Sequence, residues 1–234
     1  MRRVAPVLAL LLLCGLSACT SEAEPEEGAS TTLTVLLDPD VTTAQKTAVE
    51  QRLRAMPSVA DVVLKTRDQA YERIREDSPD LLADVKPEHL PESFSATVTD
   101  ASVAEAVNLV MGTVAGVEWV GLTMAEADPL PTRIGAIVRL EPTVTGEQRA
   151  AVEEAVRALP HAESVEFEDR DAAYARLREQ CQGKGDLAAQ LDSRMTRPSL
   201  RVTLGMKGRG ETDLPGIGRL DGVEGLHLVP VAML

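Results

Sequence analysis

Cysteine and histidine are the residue types most often found in catalytic and metal sites, and the chain has three of each. None of His89, His161 and His227 stands near a second histidine or a cysteine at the spacing of metal ligands. Cys181 would need a nearby histidine to act as a nucleophile, and the sequence supplies none. We therefore predict no enzyme activity, no metal and no cofactor. We expect the histidines in solvated turns or edges and Cys181 at a tolerated surface position.

Cys19 stands in a context that predicts covalent modification. Leu-Ser-Ala-Cys at residues 16–19 resembles the lipobox of bacterial lipoproteins, in which the cysteine sulfur receives a diacylglyceryl group. It follows two arginines and an apolar run at residues 4–13, the pattern of a secretory signal peptide. We predict a signal peptide at residues 1–18 and a palmitate-bearing anchor at Cys19 that holds the protein on the outer face of the membrane. The alternative is an ordinary signal peptide with an incidental cysteine.

Charge and composition restrict the partners. The chain has 24 Lys and Arg against 37 Asp and Glu, a net charge of −13, so we expect no nucleic acid partner. Residues 19–32 hold glutamates among small residues, which predicts a flexible acidic tether. Cys14 leaves with the signal peptide and Cys19 is acylated, so Cys181 has no internal disulfide partner. A disulfide between two molecules is the remaining option for it.

Two copies of one sequence pattern make up the rest of the chain. Residues 40–76 align with residues 143–179 without a gap, at the offset of 103 that separates Tyr71 from Tyr174. Later the offset is 106, because copy two has three more residues in its middle. A repeat of this length indicates duplicated domains and not a solenoid. We predict module 1 at residues 33–127, a linker at 128–133 and module 2 at 134–234.

Both copies predict the same order of elements. A short apolar strand is followed by a Thr-x-x-Gln capping box at Thr42 or Thr145, which starts a helix. After a second strand, we predict Asp68 and Asp171 as the N-caps of the next helix. A helical insertion follows, and then strand, helix and strand.

This order predicts an α+β fold. Each module is expected to be a two-layer βαβ-insertion-βαβ unit with a ferredoxin-like sheet and a small helical lobe. The copies differ near the end, where glycines at residues 205–218 of copy two predict a loop or frayed turn. Copy one has an apolar helix at residues 103–111 in the equivalent place.

Several motifs in this order resemble one family. They are Val-Thr-x-x-Gln at residues 41–45, Arg-Asp-x-Ala-Tyr at 67–71, Pro-Glu-His-Leu-Pro-Glu-Ser-Phe at 87–94 and Gly-Val at 116–117. Together they resemble the extracellular domain of FtsX, the membrane subunit of a division-linked transporter. The resemblance covers residues 33–122 well and residues 134–231 more weakly.

The resemblance implies a site as well as a fold. In that family a helical lobe presents an apolar surface to a peptidoglycan hydrolase or its activator. The matching partner-binding residues here are Tyr71, Ile74, Leu81, Leu82, Val85 and Leu90 in copy one, and Leu187 and Leu191 in copy two. The alternative is that these apolar residues close on themselves as a minor core.

We predict a membrane-anchored extracytoplasmic lipoprotein that acts as a protein-protein interaction module. The expected partner is a cell-wall hydrolase or a component of the division machinery. The chain lacks a predicted transmembrane helix after its signal, so the resemblance does not carry over the family's transduction of a stroke from a cytoplasmic ATPase. The alternatives are a structural, self-associating spacer and a ligand-binding lipoprotein with a cleft between the modules. Trp119, the only tryptophan, is expected to pack between the modules or to anchor a partner.

Overall fold

A computed structural model describes residues 31–77, 86–124, 131–206 and 214–234 of the chain. Each module contains a four-stranded antiparallel sheet with helices, so the α+β class and the two similar modules are confirmed. The sheet orders, β2-β3-β1-β4 and β6-β7-β5-β8, are equivalent and correspond to the predicted ferredoxin-like arrangement.

The elements follow the predicted order in both modules. Module 1 contains β1 (Thr31–Leu37), α1 (Thr43–Ala55), β2 (Val59–Lys65), α2 (Arg67–Asp77), a 3-10 turn (Pro87–His89), β3 (Ser93–Val98), α3 (Ala101–Met111) and β4 (Val117–Met124). Module 2 contains β5 (Arg133–Leu140), α4 (Gly146–Arg157), β6 (Ala162–Glu168), α5 (Arg170–Gln180), α6 (Leu187–Gln190), β7 (Ser199–Gly205), α7 (Leu214–Ile217), β8 (Val223–Val229) and a 3-10 turn (Val231–Met233).

Local sequence sets the helix starts, with one correction. Both predicted capping boxes are present, since the Thr42 and Thr145 hydroxyls each accept a hydrogen bond from a backbone N–H three residues on. The prediction of Asp171 as an N-cap is wrong, because Asp169 already follows the strand and accepts from the N–H groups of Asp171 and Ala172. Asp68 likewise lies inside α2, which begins at Arg67.

The modules differ in their last helix. In module 1, α3 has eleven residues, and seven of them are buried. In module 2, the part of the glycine-rich stretch that the structure describes contains one helical turn, α7, at its end. The two copies therefore keep the same sheet and differ in the helix layer that covers it.

Each sheet turns one face towards its own helices. In module 1, Leu33, Val35 and Leu37 point to this face and are fully buried with Val49 and Leu53 of α1. The equivalent row in module 2 packs with α4 in a separate core. We call the opposite side of each sheet its outer face, because it points away from that module's own α1 or α4.

The outer face of the second sheet is covered by module 1. Ile137 belongs to the core cluster of α3, although its neighbours Ala136 and Val138 belong to the core with α4. Glu105 and Asn108 of α3 border one small cavity together with Ile137 and with residues of β7 and β8. Helix α3 therefore lies between its own sheet and the outer face of the second sheet.

Matched aspartate substitutions test this stacking. Ile137 is 2% exposed, whereas its counterpart Thr34, on the outer face of the first sheet, is half-buried. We expect Ile137→Asp to lower the free energy of unfolding by at least ~3 kcal/mol, because it buries an unpaired charge, and Thr34→Asp by less than ~1 kcal/mol. Urea unfolding measures both. Equal losses would contradict the covering of the second sheet by α3.

Candidate partner-binding site

The helical lobe and outer sheet face of module 2 form a concave surface, which we call the module 2 cradle. Its walls are α5 and α6, and its floor includes Ile137 of β5. Leu177, Leu187 and Leu191 of the walls are at most 5% exposed, although the lobe is small. A lobe of this size cannot bury its own leucines, so another element must cover them.

Helix α3 of module 1 is that element. The cradle leucines belong to the same core cluster as Val103, Val107 and Met111 of α3. Helix α1 also reaches the lobe, since Arg52 donates a hydrogen bond to Gln190. The module 2 cradle is therefore occupied by a helix of the same chain.

A buried cluster of four charges joins α3 to the cradle. Glu105 of α3 accepts hydrogen bonds from Arg176, at 2.9 Å, and from Arg201. Glu168 accepts from the Nε of Arg176 at 2.7 Å and from the Nε of Arg201 at 2.9 Å. Arg201, which is 7% exposed, also donates to the carbonyl of Met233 at 2.9 Å. Two carboxylates and two guanidinium groups thus neutralise one another with little access to water, since Arg201 is buried and the other three side chains are 12–21% exposed.

The pKa values reflect this mutual dependence. Burial acts to raise the pKa of Glu168, but the hydrogen bond from Arg176 and the charge of Arg201 together hold it below its usual value. Burial likewise acts to lower the pKa of Arg176, and the two glutamates outweigh this effect and raise it. Each charge is stable in place only because its opposite is present.

A second ion pair fixes the N-terminal end of α3. Lys184 of the module 2 lobe donates to Asp100 at 2.6 Å. Asp100 is also the N-cap of α3 and accepts from the N–H of Ser102 at 3.1 Å. The hydrogen bonds from Lys184 and from Ser102 lower the pKa of Asp100. The end of the docked helix is therefore bonded to the lobe that receives it.

The expected surface position of Cys181 is wrong. Its side chain is fully buried at the C-terminal end of α5, in the contact between the modules. Burial raises the pKa of the thiol, and the negative charge of Asp100 raises it further. A thiol in this environment is a poor nucleophile and packs as a small apolar group.

The expectation for the histidines holds for two of the three. His89 and His161 are exposed, as predicted. His227 lies inside β8, opposite Ile137, and faces α3 across the small cavity. Burial first, and the charge of Arg139 second, lower its pKa to about 4. His227 is in the edge strand of its sheet, as expected, but it is half-buried and not fully solvated because the covering helix comes from the other module.

The small cavity at this contact is polar on one side. Its volume is about 20 Å³, which is enough for one water molecule. The hydroxyl of Ser199, which borders the cavity, is buried without a protein partner. A bound water at this point would satisfy that hydroxyl.

The predicted partner-binding residues lie in different environments. Leu187 and Leu191 are buried in one core cluster with α3 of module 1, so in the described structure they neither lie open to a partner nor close on themselves. Tyr71, Ile74 and Leu90 of module 1 are half-buried. Leu81, Leu82, Val85 and the lipidation candidate Cys19 lie outside the described residues.

Trp119 lies where the two modules meet. It is 51% exposed and borders an open cleft of about 540 Å³ together with Arg139, Arg194 and Arg197 of module 2. Its ring covers Gly121, where an added Cβ would overlap the indole carbon Cη2. The bare glycine is what allows the indole to lie along the edge strand.

The charged cluster was not predicted from the sequence. Its one available signal was Glu105, the only charged residue in the mostly apolar α3. The arginines Arg73 and Arg176 recur at equivalent positions, but a repeated arginine on a helix usually faces solvent.

The geometry defines a class of tandem α+β modules with a helical lobe, and the family comparison agrees. The family model described as the FtsX extracellular domain matches residues 30–132 and again residues 133–224. The chain therefore belongs to the FtsX extracellular domain family, in two tandem copies. This membership makes it an extracytoplasmic module related to cell division. No curated protein matches the chain.

Two further findings concern the described residues alone. Among the helices in those ranges, none has the length and hydrophobicity needed to cross a bilayer. Within the same ranges, no three His, Cys, Asp or Glu side chains form a group that could hold a metal ion.

Removal of Glu105 tests the charged cluster. We expect Glu105→Ala to lower the free energy of unfolding by about 2–4 kcal/mol, because buried Arg201 and partly buried Arg176 lose a shared carboxylate and keep only Glu168. Glu50→Ala is the matched control, since Glu50 forms an exposed i,i+4 pair with Arg54 and should contribute less than ~1 kcal/mol. Urea unfolding compares the two, and similar small losses would contradict the role of Glu105.

The pH dependence of stability tests the position of His227. Its pKa is about 4 in the folded protein, against 6.5 for an unperturbed histidine, so between these values the unfolded chain binds a proton that the folded protein does not. Stability should therefore fall by roughly 2–3 kcal/mol as the pH drops from 6.5 to 4. The measurement is urea unfolding at a series of pH values. In His227→Asn this part of the dependence should disappear, and an unchanged pH profile would refute the assignment.

Proposed function

We propose that this protein is a non-enzymatic lipoprotein, anchored through Cys19 on the outer face of the cell membrane, that binds a peptidoglycan hydrolase or another division component through module 1. The main support is the occupied cradle of module 2, where this fold holds an apolar helix. Module 1 has the same sheet and the same helical insertion in sequence.

The division of roles between the modules supports a single partner-binding site. The lobe of module 2 is filled by α3, so its leucines are not accessible to a second protein. Tyr71 and Ile74 of α2 are half-buried, and the described element that packs on α2 is the short 3-10 turn Pro87–His89 of the same module and not a helix of the other one. Module 1 is therefore the better candidate for partner binding.

A hydrolase-binding assay tests this proposal. The full chain should retain a peptidoglycan hydrolase of the same envelope, and Ile74→Asp should weaken binding at least tenfold, because a charge enters an apolar contact. Ala150→Asp, on the exposed side of α4, is the matched control and should bind normally. Circular dichroism checks that both variants fold. Equal hydrolase binding by all three proteins, or by none of them, would refute the proposal.

The anchor has a separate test. In cells fed labelled palmitate, the protein should carry label and sediment with membranes, because acyl chains partition into the bilayer. Cys19→Ala should lose the label and leave the membrane fraction. A membrane-bound protein without label would rule out lipidation at Cys19.

A second candidate function is ligand binding in the cleft between the modules. The three cleft arginines and Trp119 would suit an anionic ligand with a flat face. Arg139 and Arg197 already pair with Glu224, which weakens this candidate because a ligand would compete with that carboxylate. A thermal shift with cell-wall fragments, lost in Arg194→Ala, would favour it.

A further inference from the structure

The open cleft of about 540 Å³ lies where the two modules meet. Module 1 borders it with the C-terminal end of α3 and with the first residues of β4. Module 2 borders it with Arg139 of β5 and with the segment that joins α6 to β7. The volume falls in the range of about 300–1,000 Å³ that is usual for small-molecule sites. Neither module alone forms this cleft, because each supplies only part of its border.

The most distinctive side chains of the cleft do not recur in the repeat. Strand register pairs Leu36 with Trp119 in module 1 and Arg139 with Gly225 in module 2, and these are equivalent pairs. Trp119 therefore has a glycine as its counterpart, and Arg139 has a leucine. These two side chains belong to the junction between the modules and not to the fold that both copies share.

Trp119 provides an aromatic surface at the border of the cleft. The six-membered ring of its indole lies against Gly121, where an added Cβ would come within 1.9 Å of Cη2. The backbone therefore holds the ring in place, although Trp119 is 51% exposed. The negative π face of an indole attracts positively polarised C–H groups, such as those of a pyranose ring. A ring that is already held loses little freedom when a ligand stacks on it.

The charged side chains of the cleft form ion pairs with one another or with a neighbour. Asp192 accepts two hydrogen bonds from the guanidinium of Arg194, at 2.9 Å and 2.7 Å. These bonds lower the pKa of Asp192 to about 2, so its carboxylate remains ionised. Glu224 accepts from Arg139 at 3.2 Å and from Arg197 at 3.3 Å. Each of these arginines therefore already has a carboxylate partner.

This balance of charge distinguishes between ligand classes. With Glu118, which also borders the cleft, three carboxylates stand against three guanidinium groups. An anionic ligand would compete with those carboxylates, whereas a neutral hydroxyl both donates and accepts and so fits between paired groups. Among the described residues, Arg139 bonds through Nη2 alone and Arg197 through Nε and Nη1, so each guanidinium keeps N–H groups for a ligand. The pairs that weaken an anionic ligand therefore favour a neutral one.

Asn108 adds a polar group in a fixed orientation. It borders the cleft and is only 5% exposed. Its Nδ2 donates a hydrogen bond to the carbonyl of Val120 at 2.9 Å, which sets the plane of the amide. The remaining polar atom of this side chain, Oδ1, is an acceptor for a hydroxyl or an amide N–H.

We propose that the cleft between the modules binds a neutral oligosaccharide, with one pyranose ring stacked on Trp119 and its hydroxyl groups bonded by the ion-paired arginines and carboxylates of module 2. This inference rests on the second candidate function and names its ligand class. It does not depend on a hydrolase partner. The half-exposed, held indole supplies the apolar contact, and the balanced ion pairs supply donors and acceptors without a net charge.

Titration of short saccharides into the full chain tests the proposal directly. Trp119 is the only tryptophan, so tryptophan emission reports on the cleft. Cellotetraose and the tetramer of N-acetylglucosamine are the neutral probes, and tetragalacturonate is the anionic probe of equal length. We expect at least one neutral tetramer to shift the emission saturably. Its Kd should change less than about twofold between about 20 and about 500 mM NaCl, because its binding neutralises no net charge.

Matched variants separate the cleft from the rest of the surface. By calorimetry, Trp119→Ala should weaken binding of the neutral tetramer at least about tenfold, and Arg194→Ala about threefold, because they remove the stacking surface and a donor. Val63→Ala and Arg54→Ala are the matched controls, since both side chains are exposed outside the cleft, and they should bind normally. Circular dichroism checks the fold. Arg194 is 86% exposed, so its variant should remain folded if Trp119→Ala does not.

Several results would overturn the proposal. They are unchanged emission with all three tetramers, tighter binding of tetragalacturonate than of both neutral tetramers, and full binding by a folded Trp119→Ala. Protection of Trp119 from acrylamide quenching by a hydrolase, but by none of the saccharides, would also overturn it and would assign the cleft to a protein.

Cosedimentation with protein-free wall polymer distinguishes two sources of the same chemistry. Sedimentation that the neutral tetramer reverses supports a wall glycan as the ligand, and binding of the soluble tetramer alone supports a free saccharide. The proposed function can fail separately. Ile74→Asp should leave saccharide binding unchanged, and Trp119→Ala should leave hydrolase binding unchanged, because the two sites use different residues.

Discussion

The structure depends on one helix that is buried on two sides. Helix α3 packs on its own sheet through Val103 and Val107, and it packs against the second module around Glu105. A helix in this position must be apolar almost all round, and its single charge must meet opposite charges. The cluster with Arg176 and Arg201 meets that condition and fixes the position of the modules, because any shift would leave a charge unpaired.

The same helix explains how two copies of one fold took different roles. Module 1 supplies a long helix, and module 2 supplies the cradle that receives it. A head-to-tail contact of this kind could in principle continue from molecule to molecule. In module 2 the equivalent described helix, α7, is one turn long and cannot act as α3 does. The outer face of the first sheet carries threonine and serine side chains. It therefore offers less apolar surface for packing than the outer face of the second sheet, which carries Ile137.

Family membership and the module contact together frame the functional proposal. Members of the family are extracytoplasmic modules related to division, and this chain has two of them in series. One lobe is occupied by a helix of the same chain, which is why the proposed function assigns partner binding to module 1.

The sequence by itself determined the local structure. The internal repeat, the capping boxes at Thr42 and Thr145, and the alternation in the strands predicted the elements and the fold class, because these signals act over a few residues. The resemblance to the family pointed to Leu187 and Leu191 as apolar residues of a helical lobe. Neither the patterns nor the resemblance could show which segment covers these leucines.

Only the tertiary structure decided which apolar residues are covered, and by what. Leu187 and Cys181 are buried, and His227 is partly covered, by a helix about seventy or more residues away along the chain, and no local pattern records that contact. The pairing of Glu105 with Arg201 depends on distant segments in the same way. A charge on a helix or strand is solvated unless another part of the chain encloses it. Burial depends on how the whole chain folds. A sequence repeat therefore gives the two copies the same helices and strands, but not the same tertiary contacts.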